Sequence, residues 1–196
     1  DIAALRPDAL RPTETNTAEL STERKVIPLL ITGELYQQVT KLTGGSAFLL
    51  YTLLLATVKL ALYQYSGETT LCVGSPSRRQ EGSAPTTGNA LAILNSLDAS
   101  LPFRQWLLQV RQSLLDAYAH PHYPMERLVR DLGLEEGDRC PLFEVAVALQ
   151  ELHDALPALD NDITLLFRQQ PNQVTGELFY NPSIFCGENI EHFAQS

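Results

Sequence analysis

The longest apolar segment of the chain covers residues 46–65 and carries a single charge, Lys59. Its length and composition predict a helix, and a Ser-Gly break at 66–67 separates it from an apolar strand that starts at Leu71. Its polar positions, Thr52 and Lys59, form only a thin stripe two turns apart. A helix that is apolar on nearly every side needs cover all round, so the pattern predicts the buried centre of a folded unit.

Shorter patterns predict the elements on both sides of this helix. An apolar run at 26–31 is typical of a strand, and the helix that follows is capped at 32–33 and ends at the Gly pair 44–45. Residues 90–97 form a continuous apolar strand of the kind that is buried on both faces. A helix capped by Ser100 comes next. Its apolar stripe consists of Phe103, Trp106, Leu107, Val110 and Leu114.

A short helix and an alternating strand follow. Pro124 starts the helix, and Gly133 closes it. Residues 142–150 then alternate between bulky and small side chains, which predicts a strand with its bulky face on a core and its small face against a close neighbour. The bulky face contains Phe143, Val145, Val147 and Leu149, and the small face contains Glu144, Ala146 and Ala148.

A hairpin and a short helix close the pattern. Strands at 163–167 and 174–180 are joined by a tight turn, and the helix at 188–195 stops after about two turns. Because helices and strands alternate along the chain, the fold class is α/β, with a mixed β-sheet and flanking helices.

Two stretches lack a regular pattern. Residues 1–25 have no apolar period and are interpreted as an extended linker, so regular structure is expected to begin near residue 26. The Gly, Ser, Pro and Thr-rich loop at 75–88 is long for a compact domain, and long ordered loops are more often functional than decorative.

Composition and charge exclude several function classes. The chain of 196 residues is 44% hydrophobic and 19% charged, as globular chains are, and its net charge of −9 disfavours nucleic acid and anionic membrane surfaces as partners. Cys72, Cys140 and Cys186 are far apart and predict small buried side chains in a reducing, cytoplasmic compartment. Residues 44–46 interrupt the one apolar run that resembles a membrane span, so a core helix is favoured.

No catalytic constellation stands out from the residues alone. His120 and His122 have the spacing of a metal pair on a strand, but the neighbouring prolines favour a turn and no third ligand is near, so no metal site is predicted. Ser75 follows a strand without the second glycine and the helix that hold an esterase serine. His153 follows a strand and is expected at the surface. The residues therefore predict no catalytic group.

Several separated motifs, in order, resemble the later part of a condensation domain of nonribosomal peptide synthetases. Residues 62–67 and 72–76 are similar to the family's helix-to-strand passage, LxRYSGQ followed by VVGTP. Residues 119–129 resemble AYxHQDxPFExLV, residues 138–145 resemble the start of RxxNPLFQVMFVLQ, and residues 180–185 resemble LEYNTDLF.

The resemblance implies a fold of two chloramphenicol-acetyltransferase-like lobes. Carrier proteins deliver thioesters on phosphopantetheine arms into the tunnel between the lobes, where an amide bond forms. The family's catalytic motif, His-His-x-x-x-Asp-Gly, belongs to the N-terminal lobe and does not occur here, because residues 120–122 read His-Pro-His. The resemblance therefore implies that residues 26–196 are the C-terminal, acceptor-side lobe and that residues 1–25 are the inter-lobe linker. The lobe is expected to be inactive alone and to have no directly bound cofactor. Its expected partners are the N-terminal lobe and peptidyl carrier proteins.

The resemblance also marks candidate site residues. Candidates for substrate contact or for lining the tunnel are Asn95, Ser75, Arg78, Arg79, Ala146 and Ala148. Residues of the structural motifs are Tyr123, Pro124, Pro141 and Phe143. Each candidate also has an explanation without a functional role. Asn95 is explained as a buried amide, the alanines by close contact with a helix, and residues 123–125 as a packed turn. Arg78 or Arg79 is either a solvated charge or a contact for a carrier's phosphate.

Two alternatives stay open at this point. The family segment IGFFVNTLPLR matches residues 88–97 only through Gly88, Ile93, Asn95 and Leu97, and its closing arginine is lost. This departure motivates a non-catalytic, condensation-like module that binds carrier or tailoring proteins. An epimerization domain is the other alternative, and it ranks lower because residues 141–146 resemble the condensation version of that strand.

Overall fold

A computed structural model describes residues 24–79, 89–134, 139–155 and 161–195. Most of the predicted linker at 1–25 and of the predicted loop at 75–88 lies outside these ranges. The elements in chain order are β1 (Lys25–Ile31), α1 (Gly33–Thr43), α2 (Ala47–Ser66), β2 (Thr70–Pro76), β3 (Ala90–Ser96), α3 (Phe103–Ala119), α4 (Met125–Asp131), β4 (Val145–Leu149), β5 (Ile163–Gln170), β6 (Gln173–Tyr180) and α5 (Gly187–Gln195).

All six described strands form one mixed sheet in the order β1-β6-β5-β4-β2-β3. Strands β2, β4 and β5 are parallel neighbours, and the other pairs are antiparallel. The β5–β6 hairpin turns at Pro171 and Asn172, and Asn172 has a φ of 64°, a left-handed conformation that asparagine tolerates. The predicted fold class, an α/β lobe with a mixed sheet and flanking helices, is confirmed.

The sheet has a large core on one face and a smaller cluster on the other. Helices α2, α3 and α5 cover the first face, where the inward side chains of β4 and β5 pack. On the opposite face, Val129 of α4 packs with Leu142, Phe143 and Ala146. The functional residues predicted from the sequence are therefore distributed over both faces.

Helix α2 occupies the centre of the large core, but the prediction that it is covered all round is wrong. Thr52 and Lys59, the predicted polar stripe, are fully buried, and the side with Leu49, Leu53 and Thr57 is partly or fully exposed. The two polar side chains tolerate burial because each hydroxyl or ammonium proton has an acceptor. By length and composition α2 could cross a membrane, yet 56% of that stretch lies inside the protein.

Two strand predictions also need correction. β3 is an edge strand and is not buried on both faces along its whole length: Ala90 is 4% exposed, but Leu94 on the same face is 44% exposed. β4 begins at Val145 rather than at Leu142, and Phe143 packs with Ala146 on the face opposite Val145. The alternation fails there because Phe143 precedes the regular pleat of the strand.

The start of α3 and the cysteines differ from expectation as well. Pro102, not Ser100, is the N-cap of α3, because the Ser100 hydroxyl donates to Asp98 instead. Phe103, predicted to be in the buried stripe, is 45% exposed at this first turn, whereas Trp106 is buried as predicted. The three cysteines form no disulfide within the described chain and are half-buried rather than fully buried.

Candidate functional site

The residues predicted to line a tunnel lie at three places in the fold. Ser75, Arg78 and Arg79 lie at or just after the carboxyl end of β2. Asn95 lies at the other end of this hairpin, because it pairs with Leu71 at the start of β2. The remaining two, Ala146 and Ala148, lie in β4 on the face opposite the large core. Of these six residues, the structure thus brings together only Ser75, Arg78 and Arg79.

A hydrogen-bonded column of side chains joins the ends of β2 and β4. The Tyr118 hydroxyl, which α3 supplies, lies 2.7 Å from Nε2 of His153 and 3.3 Å from Oγ of Ser75. Nδ1 of His153 lies 3.0 Å from the backbone nitrogen of Leu149, the last residue of β4. His153 is only 1% exposed, so the prediction that it lies at the surface is wrong.

Every polar atom of the column has a partner. Nδ1 of His153 lies 3.0 Å from the Leu149 nitrogen and 3.2 Å from the Leu149 carbonyl oxygen, and Nε2 shares a hydrogen bond with the Tyr118 hydroxyl. The Tyr118 and Ser75 hydroxyls share the next bond, and the Ser75 hydroxyl donates to the Pro76 carbonyl at 3.1 Å. Burial lowers the pKa of His153 to about 3 and raises the pKa of Tyr118 above its usual value. The column is therefore neutral at physiological pH.

The arrangement of the column argues against a serine nucleophile at the end of β2. A catalytic histidine accepts the serine proton directly on a ring nitrogen, whereas Nε2 of His153 contacts the Tyr118 hydroxyl and Nδ1 contacts the backbone of Leu149. Tyr118 also stands between the imidazole and Ser75, which is 0% exposed. The predicted absence of a catalytic group stays a prediction for the whole chain, but this cluster has the geometry of a structural support.

The two arginines after β2 have different surroundings. Arg79 donates to the His153 carbonyl at 2.8 Å and to Oδ1 of Asp154 at 3.3 Å, and its own backbone N–H donates to Leu152. Arg78 pairs with His153 through the backbone, and its exposed guanidinium meets no carboxylate among the described residues. Of these two arginines, Arg78 is therefore the one that is available to a ligand.

Asn95 is a buried amide, 7% exposed, and both ends of its side chain have partners. Its Oδ1 accepts from Nζ of Lys59 at 2.7 Å, and its Nδ2 donates to Ser113 at 2.9 Å. Lys59 also donates to the carbonyls of Leu71 and Ile93. Burial lowers the pKa of Lys59 to about 7. The partners of Asn95 are therefore side chains of α2 and α3.

Close packing surrounds the two alanines of β4. Ala146 and Ala148 are 0% and 2% exposed, and the small cluster of α4 covers Ala146. Phe143 of this cluster lies directly over Gly74, where any β-carbon would overlap its ring. Pro141, half-buried, leads into this packed segment. Within the described residues, Ala146 is thus packed against side chains, and the tunnel-lining role of Ala146 and Ala148 stays a prediction.

The motif at 119–129 forms a surface turn. Tyr123 is 43% exposed and its hydroxyl donates to Asp131, while Arg127 lies 5.8 Å from the centre of its ring. Pro124 is the N-cap of α4, as the pattern predicts. Neither of the two histidines before it is buried, and no three metal-ligating side chains converge within the described ranges. This turn is held by hydrogen bonds more than by packing.

Sequence reasoning missed Tyr118, His153 and Lys59. Tyr118 lies beyond the predicted stripe of α3, and His153 follows a strand as many surface residues do. A signal for Lys59 was available, because a lone lysine inside a long apolar helix needs internal acceptors. For the other two, the partners are far apart in sequence and no local pattern joins them.

An apolar groove of about 880 Å³ lies between β1, α1, α2 and α5. Its walls include Leu30, Leu35 and Leu53, and Thr57 and Glu191 are among its few polar lining residues. Such a groove lacks the convergent polar groups that orient a reacting substrate. It has the chemistry of a packing surface.

The outer face of α3 carries a stripe of cationic and apolar side chains. We name Arg104, Leu108, Arg111 and Leu115 the α3 stripe, because their spacing places them on one side of the helix. All four are exposed, Leu108 by 53%, and neither arginine pairs with a carboxylate in the described chain. On a chain with a net charge of −9, this local positive charge is unusual.

The family model described as "Condensation domain" matches residues 3–188. Tyrocidine synthase 2 of Brevibacillus parabrevis is 36% identical over 191 residues, which cover 86% of this chain and 5% of that protein. Gramicidin S synthase 2 of Brevibacillus brevis is 30% identical over 182 residues, which cover 82% of this chain and 4% of that protein. The chain thus spans a small part of the synthases it matches.

Solved structures share the fold at low sequence identity. The complex of the X-domain and OxyB from teicoplanin biosynthesis matches with a TM-score of 0.75 and 17% identity, covering 88% of this chain and 43% of that chain. A mutant starter condensation domain of rhizomide synthetase RzmA, in complex with C8-CoA and Leu-SNAC, matches with a TM-score of 0.73 and 18% identity. That match covers 94% of this chain and 47% of the other.

Proposed function

This chain belongs to the condensation-domain family of nonribosomal peptide synthetases, and we propose that it is the C-terminal, acceptor-side lobe of such a domain. In this role it supplies tunnel wall and carrier-protein surface to amide formation between carrier-bound thioesters, without a general base of its own. The proposal is carried by the extent of the matches. The family model matches nearly the whole chain, yet the chain covers less than half of each of the two solved structures described above.

Two features of the described lobe support this role. In the column at the end of β2, the Tyr118 hydroxyl stands between Ser75 and His153, so the two side chains do not form a nucleophilic pair. The sequence holds four histidines, none adjacent to another, so the family's His-His motif is absent from residues 1–196. On this proposal the catalytic histidines belong to a lobe upstream of Asp1, and residues 1–25 link the two lobes.

The proposal also assigns the carrier surface. The α3 stripe suits a partner helix with acidic and apolar side chains, since its arginines pair with carboxylates and its leucines lose exposed area on docking. Arg78, at the end of β2, suits the phosphate of the pantetheine arm. The arm is the substrate's carrier and not a cofactor of this lobe. The expected compartment is the cytoplasm, where such thioesters form.

An amide-formation assay tests the proposal. The chain alone, and the chain fused to the N-terminal lobe that the proposal assigns upstream of Asp1, are each given two carrier-bound aminoacyl thioesters. We expect product only from the fusion, with loss of more than about 100-fold when the upstream histidines are replaced by alanine. The matched controls, His120→Ala and His122→Ala in this chain, leave the rate unchanged because both side chains reach solvent. Amide formation by the chain alone contradicts the proposal.

A non-catalytic module that recruits tailoring proteins is the second candidate function. The partial match of residues 88–97 to the family segment motivates it. Among the structures with this fold, the X-domain was solved in a complex with OxyB. A fused, folded two-lobe protein that binds carrier protein but forms no amide supports this candidate, and a degraded His-His-x-x-x-Asp-Gly sequence upstream of Asp1 agrees with it.

A further inference from the structure

We propose that His153 is a positioning residue, which holds the segment after β2 so that Arg78 is presented to the phosphate of a carrier's pantetheine arm. This inference rests on the proposed function for its ligand, a phosphate diester. Its structural part, the anchoring of Arg78 by His153, stands on the described contacts alone.

The backbone of the 77–79 segment is fastened to the backbone around His153. Arg78 and His153 form an isolated antiparallel bridge, and the Arg79 N–H donates to the Leu152 carbonyl at 2.9 Å. The Arg79 side chain adds a bond of 2.8 Å to the His153 carbonyl. Two residues beyond the end of β2, the chain is thus still held in a two-stranded arrangement.

The imidazole in turn fastens this arrangement to the core. The sheet leaves the N–H of Leu149 without a strand partner on the β2 side, and Nδ1 of His153 accepts it at 3.0 Å. Nε2 reaches Tyr118 of α3, and the ring of Tyr51 of α2 packs edge-on against the imidazole at 4.3 Å between centroids. One side chain therefore connects β4, α3 and α2 to the segment that carries Arg78.

Charge selects Arg78 as the contact for an anion. Arg79 already binds Asp154, whose side chain is only 14% exposed, so its guanidinium is engaged by the fold. Arg78 is exposed and held beside Tyr118, whose pKa it lowers electrostatically against the dominant effect of burial. A guanidinium on a restrained backbone loses less entropy on binding a phosphate than one on a loose loop.

Two measurements on the full chain test the inference. The first is the ¹⁵N NMR signature of His153, which we expect to show a neutral ring with its proton on Nε2 from pH 5 to 8. The second is the affinity for a short serine peptide that carries the phosphopantetheine arm as a phosphate diester, in the wild type and in four variants: Arg78→Ala, His153→Phe, His153→Gln and His192→Gln. Gln keeps a donor near the position of Nε2, and His192 is an exposed histidine of α5.

We expect Arg78→Ala and His153→Phe each to weaken binding by at least about 5-fold, His153→Gln to restore part of it, and His192→Gln to change nothing. Loss with Arg78→Ala but not with His153→Phe overturns the positioning role alone. Wild-type binding by Arg78→Ala overturns the phosphate contact and with it this part of the proposed function. A proton on Nδ1 overturns the column itself, and this NMR readout also serves if His153→Phe does not fold.

Discussion

Lys59 is a fully buried lysine whose three ammonium protons face three oxygen acceptors. The acceptors are the carbonyls of Leu71 and Ile93, at 3.1 and 2.7 Å, and the side chain of Asn95. These bonds connect the middle of α2 to both strands of the β2–β3 hairpin. Burial nevertheless disfavours the charge and lowers the pKa of Lys59 from 10.5 to about 7.

The lowered pKa of Lys59 predicts that the chain becomes more stable as the pH rises from about 7 to about 10.5. Between these pH values Lys59 is protonated in the unfolded chain and deprotonated in the folded chain. The free energy of unfolding therefore increases as the pH rises. Chemical denaturation across the window measures the effect. Lys59→Met keeps much of the length of the side chain without the titrating group, and it is expected to flatten this part of the profile. An unchanged profile in Lys59→Met contradicts the assignment.

Gly74 is required because the ring of Phe143 lies against its backbone. Gly74→Ala is expected to lower the free energy of unfolding by about 1–3 kcal/mol, because a β-carbon overpacks this contact. Denaturation midpoints of the variant and of the double variant Gly74→Ala, Phe143→Leu measure it. The smaller side chain is expected to recover part of the loss, and an additive further loss contradicts the packing explanation.

Single residues show where sequence-based prediction of the site succeeds and where it fails. Asn95 has a buried amide among its predicted roles, and it is buried. His153 is predicted at the surface because a histidine after a strand carries no sign of its partners, which lie 35 residues away on α3 and in the core. Local sequence patterns indicate which residues are buried, but they do not indicate which distant segments contact each other.

At the scale of elements, α3 presents different faces to the core and to solvent. Trp106, Val110 and Leu114 are buried, while the α3 stripe lies on the outer side of the same helix. Arg104 and Arg111 are two turns apart, about 10 Å along the axis. A docking helix whose carboxylates are separated by the same distance pairs with both arginines.

The double variant Arg104→Glu, Arg111→Glu is expected to weaken carrier-protein binding by at least about 10-fold, because attraction becomes repulsion. Isothermal titration with the cognate carrier at two salt concentrations measures this, and the wild-type affinity is expected to fall with salt. Arg130→Glu on α4 is the control with the same kind of charge change at an exposed site. Equal loss in the control indicates a general charge effect and contradicts docking on the α3 stripe.

The elements themselves are largely predictable from the sequence. Glycines at 44, 67 and 133 have positive φ where the pattern predicts helix ends, and the apolar periods locate every described helix. The burial of β3 is not predictable, because a run of apolar residues does not distinguish a central strand from an edge strand. That distinction depends on the order of strands in the sheet, which no local pattern contains.

At the scale of the whole molecule, the groove between β1 and α2 behaves as surface in the isolated chain. Leu30→Gln is expected to change the free energy of unfolding by less than about 0.5 kcal/mol, because Leu30 is already 63% exposed. Leu55→Ala, at a 0% exposed position of α2, is expected to cost about 2–5 kcal/mol. Denaturation curves of both variants measure the contrast, and similar losses would place Leu30 in the core.

The junction between β2 and β4 has a consequence for how the sheet opens. These parallel strands share one bridging pair, Gly74 with Ala146, whereas β5 and β6 are paired along their whole length. Backbone pairing between β2 and β4 is therefore short. The β2–β3 hairpin is attached to the rest of the sheet mainly by the side-chain contacts of Lys59 at one end and of His153 at the other. Native-state hydrogen exchange should resolve two cooperative units, with the amides of β3 released at lower free energy than those of β5 and β6.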